Sequence, residues 1–229
     1  MIKTETLPVR RRAWIQAASV PRARLGWELT DCEDVDPKHL EVVSLWVKKV
    51  SEGRVIRADG DKFCGKGLLI VGSPGHGKTT FALSLMQDMV RQLPPEAFSV
   101  AEGRTLARPA YFATFNDIIE LKGALMGDHT DEQERLFLGM HGECDDDAHN
   151  IRVLVIDDVG KEHASGSGWQ RTVLHHILRT RFNNGLPTIV TTNLAVGAWS
   201  AAYGDATESF VREAFVIIEL ESSKGDLRR

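Results

Sequence analysis

The segment GSPGHGKT at residues 72–79 constrains the fold of this 229-residue chain more than any other stretch. Four apolar residues, 68–71, lead into it as a buried strand does, and apolar residues follow it at helical spacing: Phe81, Leu85, Met86 and Met89. Its glycines let the backbone curl so that successive N–H groups face phosphate oxygens, and the following helix presents its positive end to the same anion. The segment therefore predicts a strand, a phosphate-binding loop and a helix in succession.

Individual positions of this loop have distinct expected roles. Lys78 is expected to reach the β- and γ-phosphates of a nucleotide, and the Thr79 hydroxyl to ligate Mg²⁺. His76 occupies a variable position of the motif and is expected to face solvent. The alternative is a chance glycine turn before a helix, but every position of the motif is filled. Nucleotide contacts are predicted for nine residues: Gly72, Ser73, Pro74, Gly75, His76, Gly77, Lys78, Thr79 and Thr80.

Composition narrows the class of protein. With 42% hydrophobic and 26% charged residues the chain is typical of globular proteins, and its net charge of −4 means that nucleic acid must be bound by a local patch or by assembled subunits. Cys32, Cys64 and Cys144 are odd in number and far apart, which favours a reducing compartment over a disulfide framework. No stretch has the ~18 uninterrupted apolar residues of a membrane-spanning helix, and no signal peptide is evident. We expect a cytoplasmic protein without a membrane partner.

The order of apolar patterns predicts the domain organisation. Strand and helix patterns alternate across residues 68–220, which is typical of a single α/β domain with a parallel sheet. Residues 1–18 are expected to form a short basic arm or helix, either docked or solvated, and residues 19–229 the main domain.

Local signals predict where several elements begin. Asp36 and Pro37 are a cap and a first-turn proline, so a helix is expected from there to Gly53. Residues 116–117 are expected to cap a later helix. The stretch 20–25 is predicted to be extended because of its proline.

A second motif supplies carboxylates. The apolar stretch 153–156 ends in Asp157 and Asp158, as a strand buried on both faces does when its carboxyl end opens on a ligand crevice. Asp157 is expected to hold Mg²⁺, usually through water, and Asp158 to orient or deprotonate an attacking water. The alternative for Asp158 is a carboxylate that caps a turn.

A neutral polar residue ends the next apolar strand. Asn193 is expected to hold the attacking water or to sense the γ-phosphate. The alternative is an asparagine that only forms the turn after the strand.

These residues together resemble the AAA+ ATPases of the DnaC/IstB-like group, which includes replicative helicase loaders and transposition helper ATPases. The resemblance covers about residues 19–229. It depends on these segments: VPRAR at 20–24, GSPGHGKTT at 72–80, VLVIDDVGKE at 153–162, RFNNGLPTIVTTNL at 181–194, SFVR at 209–212 and KGDLR at 224–228. It implies a P-loop AAA+ core with a five-stranded parallel sheet of order 5-1-4-3-2, flanked by helices, with a helical lid that is reduced or absent. It also implies ATP and Mg²⁺ as cofactors.

The resemblance further implies self-assembly into a ring, spiral or filament in which an arginine of one subunit completes the site of its neighbour. Arg212 matches that arginine best, Arg181 is a second candidate, and Arg228 is a candidate nucleotide contact. The alternative for Arg212 is a cation on a solvated helix face.

The function that the resemblance implies is ATP-dependent loading or remodelling of a replicative DNA helicase by an oligomer that binds single-stranded DNA. The runner-up is a transposition helper that forms filaments on duplex DNA and recruits a transposase. Other readings are a nucleotide-gated binding module without turnover, since Asp158 stands in place of a longer glutamate, and a small-molecule kinase. The loaders of this group carry a larger N-terminal helicase-binding domain, and the resemblance, which covers about residues 19–229, does not extend to that domain.

Two further sets of side chains are candidates for binding. Pore-side DNA contacts are considered for three cations, although solvated helix faces explain each of them better: Lys122, Lys161 and Arg179. Zinc is a minor alternative for His141, Cys144 and His149, because a structural zinc normally takes four ligands.

Overall fold

The computed structural model describes residues 8–32, 35–52, 65–99, 104–161 and 168–221. Five strands form one parallel sheet: β1 Gly67–Val71, β2 Ala110–Thr114, β3 Val153–Val159, β4 Thr188–Thr192 and β5 Phe215–Glu219. Their order is β2-β3-β4-β1-β5, which confirms the predicted order 5-1-4-3-2 read from the other edge. As a result β4 lies between β1 and β3, and the ends of these three strands meet at one edge of the sheet.

Eight α-helices in the described residues cover the two faces of the sheet. They are α1 Val9–Ala17, α2 Pro37–Ser51, α3 Lys78–Gln92, α4 Phe115–Ala124, α5 Asp131–His141, α6 Trp169–Asn183, α7 Trp199–Tyr203 and α8 Asp205–Ala214. In β1, Leu68 and Ile70 pack with α1, α2 and α3, whereas Leu69 and Val71 pack with α4 to α8. Both faces of the sheet are therefore buried, which explains the uninterrupted apolar strands in the sequence.

The N-terminal helix is docked on the core. The indole Nε1 of Trp14 donates to the Leu106 carbonyl at 3.1 Å, and Ile15 is fully buried. Arg11 donates from both terminal nitrogens to the carbonyls of Val90 and Leu93, at 3.1 and 2.9 Å. Because the last carbonyls of a helix lack partners within it, Arg11 closes the C-terminal end of α3. The division of the chain after residue 18 stays a prediction.

Several local predictions are tested by the backbone. Helix α2 begins at Pro37, and the Asp36 carboxylate accepts from the Lys38 N–H at 2.8 Å, as expected. The extended conformation predicted for residues 20–25 is wrong in part, because Arg22–Arg24 form a 3-10 turn. Proline restricts the residue before it, and Pro21 leaves the residues after it free to turn.

The cap predicted at residues 116–117 lies at Thr114 instead. Its hydroxyl accepts from the Asp117 N–H, and the Asp117 carboxylate accepts from the Thr114 N–H, at 3.1 and 2.9 Å. This reciprocal box starts the helix directly at the end of β2. After β5 no helix follows within the described residues. None of the described helices combines the length and the apolar character needed to cross a bilayer.

Candidate nucleotide-binding site

The loop after β1 turns at glycines, where a side chain would either clash with a neighbouring carbonyl or strain the backbone. The N–H of Gly72 donates to the Thr192 carbonyl at 3.3 Å, and a Cβ at Gly72 would lie 2.5 Å from the Leu220 carbonyl oxygen. Gly75 and Gly77 have φ of +83° and +78°, the left-handed region that glycine adopts without strain. The loop is therefore fixed against the ends of β4 and β5, and it delivers the chain into α3 at Lys78.

Lys78 is folded back over this loop. Its Nζ donates to the Ser73 carbonyl at 2.9 Å, and the residue is only 6% exposed. Ser73 and Pro74 are exposed, so the outer rim of the loop is accessible. His76 is half-buried with its Nδ1 3.3 Å from the Leu220 carbonyl oxygen, which contradicts the expectation that its ring faces solvent.

Thr79 and Asp157 come together across the sheet edge, as the two motifs require. The Thr79 hydroxyl lies 2.9 and 3.0 Å from the two carboxylate oxygens of Asp157, and the Thr191 hydroxyl donates to Oδ1 at 2.5 Å. Asp157 is 3% exposed. Burial raises the pKa of Asp157, and the negative charge of Asp158 raises it further, while the bonds from Thr191 and Thr79 oppose the rise.

Among the described side chains, the Asp157 carboxylate has no cationic partner. No Lys or Arg in the described ranges forms an ion pair with this carboxylate, although a buried charge normally has a partner or a metal. A hydroxyl next to a carboxylate gives the oxygen ligands that Mg²⁺ prefers. Thr79 and Asp157 therefore fit the predicted magnesium site. The described residues contain no group of three or more His, Cys, Asp or Glu side chains around a possible metal, so Asp157 is the one carboxylate assigned to this site.

A β-bulge separates the two carboxylates. Ile156 pairs with Val190, but the next paired residue of β3 is Val159, opposite Thr192, so β3 contains one extra residue. Asp158 lies in this bulge with φ of +59°, a strained value for a residue with a side chain. Strand alternation alone places neighbours on opposite faces, whereas the bulge leaves both carboxylates at the open edge.

The environment of Asp158 differs from that of Asp157. Its N–H donates to the Thr191 hydroxyl at 3.0 Å, and its Oδ1 accepts from Lys161 Nζ at 2.6 Å. Its side chain is 34% exposed. The hydroxyl of Thr191 thus bridges both acids, a role that sequence reasoning missed. The available signal was a hydroxyl inside a buried strand, because buried hydroxyls need partners.

Asn193 follows β4, between the loop at Gly72 and the end of β3. The register pairs Thr192 with Val71 on one side and with Val159 on the other. The side-chain Oδ1 of Asn193 is buried and has no hydrogen-bond partner within the described residues. Because buried acceptors normally have a donor, this oxygen is suited to accept from a water or a ligand.

The lead-in segment before α2 runs along α3, which sequence reasoning did not foresee. Buried Gln87 donates to the Arg24 carbonyl at 3.0 Å and accepts from the Gly26 N–H at 2.8 Å. One residue further, the Asp88 carboxylate accepts from the Leu29 N–H at 2.9 Å. Polar residues inside an apolar helix pattern were the signal, since buried polar groups need hydrogen bonds.

The two candidate arginines have opposite environments. Arg212 lies on α8 with a 54% exposed side chain, and its Nε and Nη2 donate to Glu208 Oε1 at 3.0 and 2.7 Å. Glu208 is itself anchored, because its Oε2 accepts from the Ser200 N–H at 3.0 Å. Arg212 is thus presented on the surface by a neighbour on its own helix, and its role in another subunit stays a prediction.

Arg181 is wrong as a candidate for a subunit interface. It is fully buried and uses all five donors within the chain, on the Thr188 hydroxyl and on the carbonyls of Met140, Ile151, Arg152 and Pro187, at 2.7 to 3.0 Å. Burial lowers the pKa of Arg181 to about 9, and the charge of Arg152 adds to this. These carbonyls lie where α5 ends and where β3 and β4 begin, so Arg181 joins three elements.

The three candidate pore cations each have a partner. Lys122 lies 4.8 Å from the ring centre of Phe137, Lys161 pairs with Asp158, and Arg179 lies 4.6 Å over the ring of Phe210. They stay predictions as DNA contacts.

The remaining predictions fall partly outside the structure. Glu162 of the second motif, Arg228 and Cys64 lie outside the described residues. Of the weak zinc candidates, His141 is buried, and its Nδ1 lies 2.9 Å from the Phe137 carbonyl oxygen. Burial lowers the pKa of His141 to about 4.

Solved structures share this fold. The crystal structure of the DnaC helicase loader matches with a TM-score of 0.60 and 23% identity, over 88% of this chain and 100% of that one. The crystal structure of DnaI matches with a TM-score of 0.57 and 19% identity, over 92% of this chain and 95% of that one. AMPPCP-bound DnaA from Aquifex aeolicus matches at 0.53 and 16%, over 88% of this chain and 52% of that one.

The predicted AAA+ P-loop fold is confirmed. At these identities the similarity shows the fold alone. Neither the sequence patterns of known families nor the sequences of curated proteins gave a match.

Proposed function

We propose that this protein is an AAA+ ATPase of the helicase-loader type. In this proposal it hydrolyses ATP, assembles with copies of itself, binds single-stranded DNA and loads or remodels a replicative DNA helicase. The observation that carries the proposal is the meeting of Lys78, Thr79, Asp157 and Asn193 at one sheet edge, on a fold shared with the DnaC helicase loader. A structure of DnaA bound to AMPPCP and single-stranded DNA has the same fold, with a TM-score of 0.50.

The chemistry assigned to each residue follows from its position. The N–H groups at the start of α3 and the Lys78 ammonium hold the β- and γ-phosphates. Mg²⁺, when bound at Thr79 and Asp157, neutralises charge on the phosphates. Asn193 Oδ1 accepts a hydrogen bond from the attacking water, which fills its missing partner. Asp158 has one oxygen occupied by Lys161 and keeps the other for the proton of that water.

Hydrolysis is proposed to depend on assembly. An arginine supplied by a neighbouring subunit is worth ~10³–10⁵ in rate in nucleotide hydrolases, because it spreads the charge of the transition state. Arg212 is exposed and held on the surface by Glu208, so it is accessible to a second subunit. The ATP-bound site of one molecule is then complete only when Arg212 of another reaches it.

The decisive experiment mixes two inactive variants. Arg212→Ala and Lys78→Ala are each expected to lose at least ~10³-fold in ATP turnover. Mixed in equal amounts, they should recover a fraction of wild-type turnover, because some interfaces combine an intact loop with an intact arginine. Arg135→Ala, which removes an exposed arginine from α5, is the matched control and should keep full turnover. An unaffected Arg212→Ala variant would contradict the trans role.

The DNA and partner parts of the proposal need a separate measurement. Native mass determination with a non-hydrolysable ATP analogue is made alone, with single-stranded DNA, with duplex DNA and with a replicative helicase. The loader proposal predicts an ATP-dependent oligomer that gains mass with single-stranded DNA and with the helicase. Filaments on duplex DNA alone would favour the transposition-helper alternative instead.

A further inference from the structure

Arg24 lies beside the phosphate loop, and within the described residues its terminal nitrogens are mostly without acceptors. It ends the 3-10 turn before α2, and its Nε donates to the Thr80 hydroxyl at 3.2 Å. Its guanidinium lies over the indole of Trp27, 4.6 Å from the ring centre. Apart from a 3.5 Å contact of Nη1 with the Ala23 carbonyl, no described residue accepts from its terminal nitrogens, and no described carboxylate pairs with it. A cation with one covered face and a free edge is left beside α3.

The backbone that carries Arg24 is held firmly. Buried Gln87 binds the Arg24 carbonyl and the Gly26 N–H, and Arg91 donates to the Trp27 carbonyl at 3.0 Å. Asp88 holds the next turn of the lead-in through the Leu29 N–H. The position of the guanidinium is therefore set by packing along α3, and only its side-chain torsions are free to change.

The position of Thr80 indicates which phosphate lies nearest. Thr80 is the third residue of α3, so its N–H is one of the four that have no partner within the helix and face a bound anion. In the proposed function Lys78 binds the terminal phosphates and Thr79 binds Mg²⁺, and the N–H groups of such loops also hold the α-phosphate. Thr80 follows them in the chain, so in the proposed function its N–H is assigned to the phosphate closer to the nucleoside.

We propose that Arg24 binds the α-phosphate of the nucleotide. On binding, its N–H groups turn from the Thr80 hydroxyl to a phosphate oxygen, for which the planar fork of arginine is well suited. The indole of Trp27 covers one face of the guanidinium, so stacking on a base is available only at the other face. This inference rests on the proposed function, since it needs a nucleotide in the loop.

The test is equilibrium binding of ATP and ADP to the full chain, measured by calorimetry. Arg24→Ala should weaken both nucleotides by the same factor, about 10- to 100-fold, because both carry the α-phosphate and because bonds to charged groups are of this strength. The matched control is Arg22→Ala, an exposed arginine on the same turn, which should stay within about twofold of wild type. Arg24→Lys keeps the charge without the fork and should recover part of the affinity.

A double-variant cycle separates direct contact from action through Thr80. If Arg24 contacts phosphate, Arg24→Ala still weakens ADP on a Thr80→Val background. If Arg24→Ala has no further effect on ADP affinity in the Thr80→Val variant, the proposal is overturned. A loss of affinity for ATP alone would also overturn it. Thermal unfolding without nucleotide should be alike for Arg24→Ala and Arg22→Ala, and a much lower midpoint for Arg24→Ala would assign the loss to folding and overturn it.

Failure of this inference and failure of the proposed function are distinguishable. Wild-type protein that binds neither nucleotide refutes both. Wild-type binding together with equal affinities for Arg24→Ala and Arg22→Ala refutes only the role of Arg24.

Discussion

The two ends of strands β3 and β4 are both buried and polar, yet they differ in whether the chain completes them. At their beginnings, Arg181 uses every donor on acceptors from its own chain. At their carboxyl ends, the described residues provide no cationic partner for Asp157 and no donor for the buried Asn193 Oδ1, and Asp158 has a strained backbone. In a parallel sheet the carboxyl ends are where ligands bind. The difference indicates that Arg181 maintains the fold at one end, and it agrees with the proposal that a nucleotide binds at the other.

The strongest test of this comparison is Asp158→Asn, at the carboxyl end of β3. Loss of the carboxylate should lower ATP turnover by ~10²–10⁴, the usual contribution of a general base. The free energy of unfolding should change by less than about 0.5 kcal/mol, since asparagine tolerates the left-handed conformation. Steady-state turnover and urea unfolding measure the two effects.

Asp145→Asn, at an exposed acidic residue, is the control and should alter neither quantity. Undiminished turnover in Asp158→Asn would assign this residue to the turn alone. A wild-type protein that binds ATP without turnover would instead favour a nucleotide-gated binding module.

The opposite result, a loss of stability, is expected for Arg181→Met at the beginnings of β3 and β4. Buried carbonyls left without donors should reduce the free energy of unfolding by about 3–5 kcal/mol, as for other broken buried charge networks. Arg179→Met, two residues earlier on α6 and exposed, should cost less than about 1 kcal/mol. Denaturant unfolding of both variants measures the difference.

If Arg181→Met does not fold, Arg181→Lys provides the test instead. It keeps up to three donors and should lose less stability than the methionine variant. Its ATP turnover per folded molecule should match wild type. A stable Arg181→Met protein would remove the contrast between the two ends.

The smallest effect is predicted for Asp157→Asn in metal-free protein. Because burial raises the pKa of Asp157, its charged form opposes folding, and the variant should gain about 1 kcal/mol at neutral pH, an ordinary size for one substitution. Between the ordinary value of ~3.9 and the raised pKa, the folded wild type binds the extra proton. Wild-type stability relative to the variant therefore rises as pH falls through this window.

Urea unfolding in chelator between neutral pH and pH ~4 tests this sign, which follows from proton linkage. Added Mg²⁺ and ATP should stabilise wild type more than the variant, because only wild type keeps the metal-binding carboxylate. A stability difference that is the same at every pH would show that burial of the carboxylate is not its cause.

Much of this site was predictable because its signals are local. The loop at 72–79, the carboxylates near the end of β3 and the polar residue after β4 stand beside apolar runs in the chain, and parallel pairing brings them to one edge. Arg181 was misjudged because its acceptors come from α5, β3 and β4, which are distant in sequence. The bulge at Asp158 also escaped prediction, since it depends on the register with β4 and not on residue type.

The bulge in β3 has a consequence for how the chain tolerates insertions and deletions. One extra residue lies between the pairs made by Ile156 and Val159. Removing a residue from this strand would give a regular ladder, in which neighbouring side chains alternate between the two faces and two adjacent carboxylates can no longer share one edge. Related chains should thus vary in length in their surface loops while keeping the residue count between Val153 and Asp158 unchanged.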